Sequence, residues 1–226
     1  MELCDEILKR KMKIVFDAPN GLWINSLRED VIAKMVEAGL VTANIAIEHG
    51  DDYMRNEVIG KCLDRKKIFE VADLLKKYKV MSIGFFIMGF PEDTNQTLQN
   101  MYDMMNELQL DKAGVGTALP TPGTALFKQV VKDKLFIDNW NLDDLWKTPI
   151  SHCQSDFIIK PYNMSVDDLY EWRKKFDVML IKYWKTSPSK AATGRGLTLD
   201  KDGVNPRVSY GRKISDVPKS ALIFDS

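Results

Sequence analysis

Short apolar, β-prone runs recur along the chain at Lys13–Phe16 (KIVF), Ala43–Glu48 (ANIAIE), Val80–Gly89 (VMSIGFFIMG) and Ala113–Leu119 (AGVGTAL). Between them the apolar positions switch to a spacing of three and four residues, the period of a helix with one buried face. Ser26 and Glu29 form a capping-box pattern ahead of Leu27, Val31, Ile32 and Met35, and Gly39 follows as a stop. Asp64 precedes Ile68, Val71, Ala72 and Leu75, which share one helical face, and Thr94 precedes the stripe Leu98, Met101, Met105 and Leu108. A shorter helical pattern, TALFKQVV, follows Gly123.

Strand and helix alternating every ~30 residues predict βαβ units and a parallel sheet, an α/β fold in which each helix is a right-handed crossover. The unbroken apolarity of Val80–Gly89 predicts a strand buried on both faces. From Asn139 the pattern becomes irregular. A strong helix then begins at Ser165, with Asp168 closing its cap and Leu169, Trp172, Phe176, Leu180 and Tyr183 along one side. Beyond Trp184 large apolar residues become scarce and Lys and Arg exceed Asp and Glu. The expected organisation is a parallel α/β unit over residues 1–138, a helical extension over 139–185 and a basic, mobile tail over 186–226.

Composition narrows the function little. The 226 residues carry 32 Lys and Arg against 32 Asp and Glu, so net charge indicates neither nucleic acid nor a membrane surface. No run spans a bilayer and no signal-peptide core opens the chain, which makes a cytoplasmic protein the expectation. Cys4, Cys62 and Cys153 stand far apart, and with His49 and His152 they form no metal-binding spacing.

Ligands of parallel α/β folds gather at the C-terminal ends of the strands, beside helix N-termini. Those ends are Asp17–Leu22 with an Asn20-Gly21 turn, Glu48-His49-Gly50, Gly89-Phe90-Pro91-Glu92, and Pro120–Thr124. A carboxylate closing an apolar run, as Glu48 does, suits a ligand-facing strand end, where it can accept two hydroxyl hydrogen bonds. His49 is open to an acid–base role or a structural one. Lys61, thirteen residues on, is open to pairing with a ligand carboxylate or to solvation.

The succession MVEAGLVTANIAIEHGDD, GK, FFIMGFPEDTNQTLQNMYDM and ALPTPGTALF, from about Asp17 to Phe136, resembles the later half of a radical S-adenosylmethionine (SAM) enzyme barrel. It is closest to the branch that often carries a cobalamin-binding domain. The resemblance implies a partial (β/α) barrel of parallel strands whose ends hold SAM. Glu48 matches the residue that contacts the ribose, Lys61 one that can meet the methionyl carboxylate, and Gly89, Phe90 and Pro91 the loop along the adenine. Met1–Lys11 would be the helix leading into the third barrel strand. In that family a reduced [4Fe–4S] cluster passes an electron to SAM, and the radical formed takes a hydrogen atom from substrate.

The departures from the family pattern are specific. The CxxxCxxC that holds the cluster is not in this sequence, so its metal ligands are expected elsewhere. His49 replaces a serine, and Glu92-Asp93 replaces Gly-Glu. A sheet beginning at the third strand would expose a long apolar edge, to be completed by a cluster-bearing N-terminal half, a partner chain or a second copy. Substrate, catalytic residues and cobalamin dependence stay open. Two other readings remain: a non-catalytic binding module that keeps the fold, and an unrelated α/β enzyme using Glu48 and His49 as an acid–base pair.

Overall fold

The structure is a computed structural model that describes residues 1–137 and 157–186. Helix α1 (Glu2–Lys9) leads into β1 (Phe16–Leu22), α2 (Glu29–Glu37), β2 (Leu40–Glu48), α3 (Arg65–Lys77), β3 (Met81–Met88), α4 (Asn95–Leu108), β4 (Lys112–Thr117), α5 (Ala125–Lys132) and α6 (Val166–Thr186). The four strands form one parallel sheet in the order β1-β2-β3-β4, so each chain crossover joins neighbours. This is the α/β unit that the alternating pattern predicts.

The helix ends are set by the side chains expected of them. Asp64 caps α3 by accepting the Lys66 N–H, and Thr94 caps α4 in a reciprocal box with Thr97. Ser165 and Asp168 exchange hydrogen bonds at the start of α6. The predicted box at Ser26 does not form. Ser26 Oγ instead donates to the Trp23 carbonyl in a 3₁₀ turn over Ile24–Ser26, and α2 starts at Glu29 after Arg28. A hydroxyl that can satisfy a nearby carbonyl competes with its own capping role.

The first strand is also displaced from its expected place. KIVF supplies only Phe16 to β1, and the stretch read as a strand end, Asp17–Leu22, is the strand itself. It carries Pro19 and Gly21, pairs only with β2 among the described residues, and shifts register twice, between Phe16/Asp17 and between Ala18/Leu22. The sheet edge is therefore not the long apolar one expected. Proline and irregular pairing blunt it, with Pro19 and Asn20 exposed.

One face of the sheet packs on the helices. Ala43, Ile45 and Ile47 of β2, Phe86 and Met88 of β3 and Val115 of β4 join Ile68, Val71, Leu75, Leu98, Met101 and Met105 in a single core. Helix α6 lies against β4 and α4 and extends that core with Leu169, Trp172, Phe176 and Tyr183. Trp172 donates from Nε1 to Asn95 Oδ1 at 2.8 Å, so the buried indole keeps a partner. Burial pushes the Tyr183 phenol above the usual tyrosine range, while its hydroxyl donates to the Met105 carbonyl. Trp140, Trp146, Cys153, His152 and the proposed basic tail lie outside the described residues.

The opposite face is different in character. Register aligns Ala46 with Phe85 and Phe85 with Gly114, and Ile87 with Gly116. From Met81 to Gly84 β3 is buried throughout, as its apolarity predicts. Beyond that point burial alternates, because Phe85 and Ile87 are only partly covered and border a cavity. That cavity is where the site lies.

Candidate functional site

A cavity of about 590 Å³ sits over the C-terminal half of the sheet. Ala46 and Glu48 of β2, Phe85 and Ile87 of β3 and Gly114 and Gly116 of β4 supply its floor. Asn20 closes the β1 side, and Phe90, Leu119, Thr121 and Leu126 rise from the loops and α5. Two glycines on one face of one strand leave a flat, backbone-lined floor against aromatic and aliphatic walls. Glu48 is the charged side chain on this lining. In such apolar surroundings a hydrogen bond accepted by its carboxylate would be strengthened.

Lys61 reaches back from the loop before α3 to Glu48, with Nζ and Oε1 2.8 Å apart. Both side chains are partly exposed, Lys61 27% and Glu48 18%, so the pair is accessible to a ligand rather than locked in the core. Phe90 lines the cavity. Gly89 and Pro91 stand behind it and serve the loop's own geometry. Gly89 has φ +88°, and a Cβ there would fall 2.9 Å from Cδ1 of Phe157. Pro91 offers its carbonyl to Tyr162 N–H at 2.7 Å. Of the five residues expected at the site, the structure thus brings together Glu48, Lys61 and Phe90.

The residues that hold this site together were not legible as such. Asp93 is fully buried. Its Oδ2 accepts the N–H groups of Gly89 and Phe90 at 2.7 and 2.9 Å, and its Oδ1 lies 3.2 Å from both His49 Nε2 and Thr97 Oγ1. Asp51 N–H donates to His49 Nδ1 at 3.0 Å, so Nε2 carries the ring proton and donates to Asp93. His49 has no exposure, and both its ring nitrogens are engaged, by Asp93 and by the Asp51 N–H. Glu48 pairs with Lys61, so His49 and Glu48 do not form an acid–base pair here. Of the positions at which the sequence leaves the pattern, His49, Glu92 and Asp93, the first and last meet each other here.

Arg55, also fully buried, binds the backbone of the same loop. It donates from Nε to the Leu63 carbonyl at 2.8 Å and from Nη1 to the His49 carbonyl at 3.0 Å, and pairs with Asp52. Asn56 Oδ1 accepts the Leu63 N–H at 2.7 Å. The segment between Glu48 and Lys61 is thus fixed by a buried guanidinium and carries the two ends of the ion pair.

No group of three His, Cys, Asp or Glu among the described residues could hold a metal ion. Cys4 is buried among Ile7 and Ala38, and Cys62 is exposed. No helix among the described residues is long and apolar enough to cross a membrane.

A four-stranded parallel sheet with helices between its strands and a carboxylate-bearing cavity at its C-terminal end defines the class as an α/β protein. Residues 1–105, just under half of the chain, match the model of the radical SAM superfamily. An uncharacterised methyltransferase of Pyrococcus horikoshii is 28% identical over 142 residues, covering 61% of this chain and 30% of that protein. The bacteriochlorophyllide d C-12(1)-methyltransferase of Chlorobaculum tepidum is 24% identical over 144 residues, covering 62% and 31%. Among solved structures, the radical SAM methyltransferase TsrM of Kitasatospora setae, with cobalamin and a [4Fe-4S] cluster bound, aligns with a TM-score of 0.48 at 14% identity. That alignment covers 58% of this chain and 27% of TsrM. The chain spans less than a third of the length of these two curated relatives.

Proposed function

We propose that this chain is the later part of a radical SAM barrel and binds SAM at the C-terminal ends of β2, β3 and β4. The observation that carries the reading is Glu48, a carboxylate on the lining of an otherwise largely apolar, glycine-floored cavity. Glu48 accepts the two ribose hydroxyls, and Lys61, already 2.8 Å from that carboxylate, turns to the methionyl carboxylate. Phe90 covers the adenine, with Gly89 and Pro91 setting the turn that presents it. Phe85, Ile87 and Leu126 keep water from the nucleoside face.

SAM supplies a sulfonium with an activated C–S bond. The [4Fe–4S] cluster that would reduce it does not fit the described residues, which offer no triad of ligands. In this reading its ligands come from a segment or partner that this sequence does not contain, and the chain alone is inactive. The names of the two relatives favour methyl transfer as the activity of the completed protein, and a cytoplasmic location belongs to the same proposal. The missing thiols equally support a second reading, a binding module that keeps SAM or its substrate without cleaving it.

Equilibrium dialysis with radiolabelled SAM tests the assignment. Glu48→Ala is expected to weaken binding by about tenfold or more, the loss of hydrogen bonds to a charged acceptor. An affinity unchanged in a variant that melts like the parent would remove Glu48 from the site.

A further inference from the structure

The backbone of Glu48 is held where side-chain-bearing residues rarely go. Its φ is +69°, and the His49 N–H donates across it to the Ile47 carbonyl at 3.0 Å. This is a γ-turn with a left-handed centre, a strained conformation for a residue with a Cβ. Lys11, Lys79, Gln109 and Lys134 also have positive φ, but each ends a helix, where that geometry is ordinary, and Cys62, at φ +50°, lies in the exposed loop before α3. Glu48 instead ends a strand, at the cavity.

Strain of this kind persists only where the surroundings over-determine it. Ile47, on one side, is fully buried in the core. On the other side the His49 ring is clamped 3.2 Å from Asp93, and its carbonyl is held by Arg55 at 3.0 Å. Asp93 is anchored in turn by the N–H groups of Gly89 and Phe90.

We propose that His49 and Asp93 are positioning residues that hold Glu48 in this turn and so aim its carboxylate into the cavity. The proposal rests on the reading of Glu48 as a SAM-contacting residue. The buried pair then links two walls of one site, the end of β2 and the loop after β3.

The strain is tested without ligand. Glu48→Gly and Glu48→Ala both delete the carboxylate and its ion pair, and differ in their tolerance of positive φ. At an ordinary strand position glycine is the less stable of the two. Here Glu48→Gly is expected to melt about 2–4 °C above Glu48→Ala. The reverse order overturns the strained turn.

The positioning role is tested by a cycle of SAM affinities. His49→Leu alone is expected to weaken SAM by about tenfold, yet to cost nothing further when combined with Glu48→Ala. Losses that add in full overturn the positioning role. If His49→Leu fails to fold, Asp93→Asn takes its place in the cycle. If Glu48→Ala leaves SAM affinity intact while Glu48→Gly remains the more stable, the ribose assignment falls and the clamp loses its purpose, although the strained turn stands.

Discussion

Gly50 follows the clamped histidine, and a Cβ there would fall 2.4 Å from the Met101 Cα and 3.1 Å from the Met104 Cβ. The loop therefore lies directly on α4, and the backbone, not a movable side chain, would have to yield. Gly50→Ala is expected to cost about 1–3 kcal/mol in a denaturant titration, as overpacking does. A cost below about 0.5 kcal/mol would show that the loop is not seated as described. The residues of the site divide by the range of what marks them. Glu48 was legible because a carboxylate ending an apolar run is a local anomaly. Asp93 and Arg55 were not, because most of their partners are backbone groups and Asp93 also meets a histidine 44 residues away. Gly89 was legible as a special backbone position, with φ +88°, but its neighbour is Phe157, which no local pattern could have named.

At the scale of elements, α3, α4 and α6 were legible because each begins with a side chain that caps it and continues with an apolar stripe that finds the core. Strand β1 was misplaced for the converse reason. Its Pro19 and Gly21 are local breakers, and only pairing with β2 makes the stretch a strand. Helix α6 is the element most separate in sequence from the sheet it covers. Its Phe176 is fully buried and lies 5.9 Å, centroid to centroid, from Tyr102 of α4. Phe176→Ala is expected to lower stability by about 3–5 kcal/mol. A near-neutral result would mean that α6 is not part of the core.

At the scale of the molecule, the helix-facing side of the sheet is a closed core and the other side is an open, partly apolar floor with one accessible ion pair. That asymmetry is what a ligand site needs, and it was legible in outline from the strand-end residues. The state of the sheet edge was not, because register shifts are tertiary. Anaerobic reconstitution of this chain alone with iron and sulfide is expected to give no cluster absorption, since Cys4, Cys62 and Cys153 stand far apart in sequence. A stable [4Fe–4S] spectrum would show that the three thiols converge and that the chain needs no outside ligands.

Whether SAM occupies the cavity is read most directly from a ¹⁵N-labelled sample titrated with SAM and followed by amide chemical shifts. Shifts are expected to be confined to the cavity lining, at Asn20, Ala46, Glu48, Gly114, Gly116 and Thr117, with Phe90 moving alongside. Shifts clustered elsewhere, or a spectrum unchanged at millimolar SAM, would contradict SAM binding at this site.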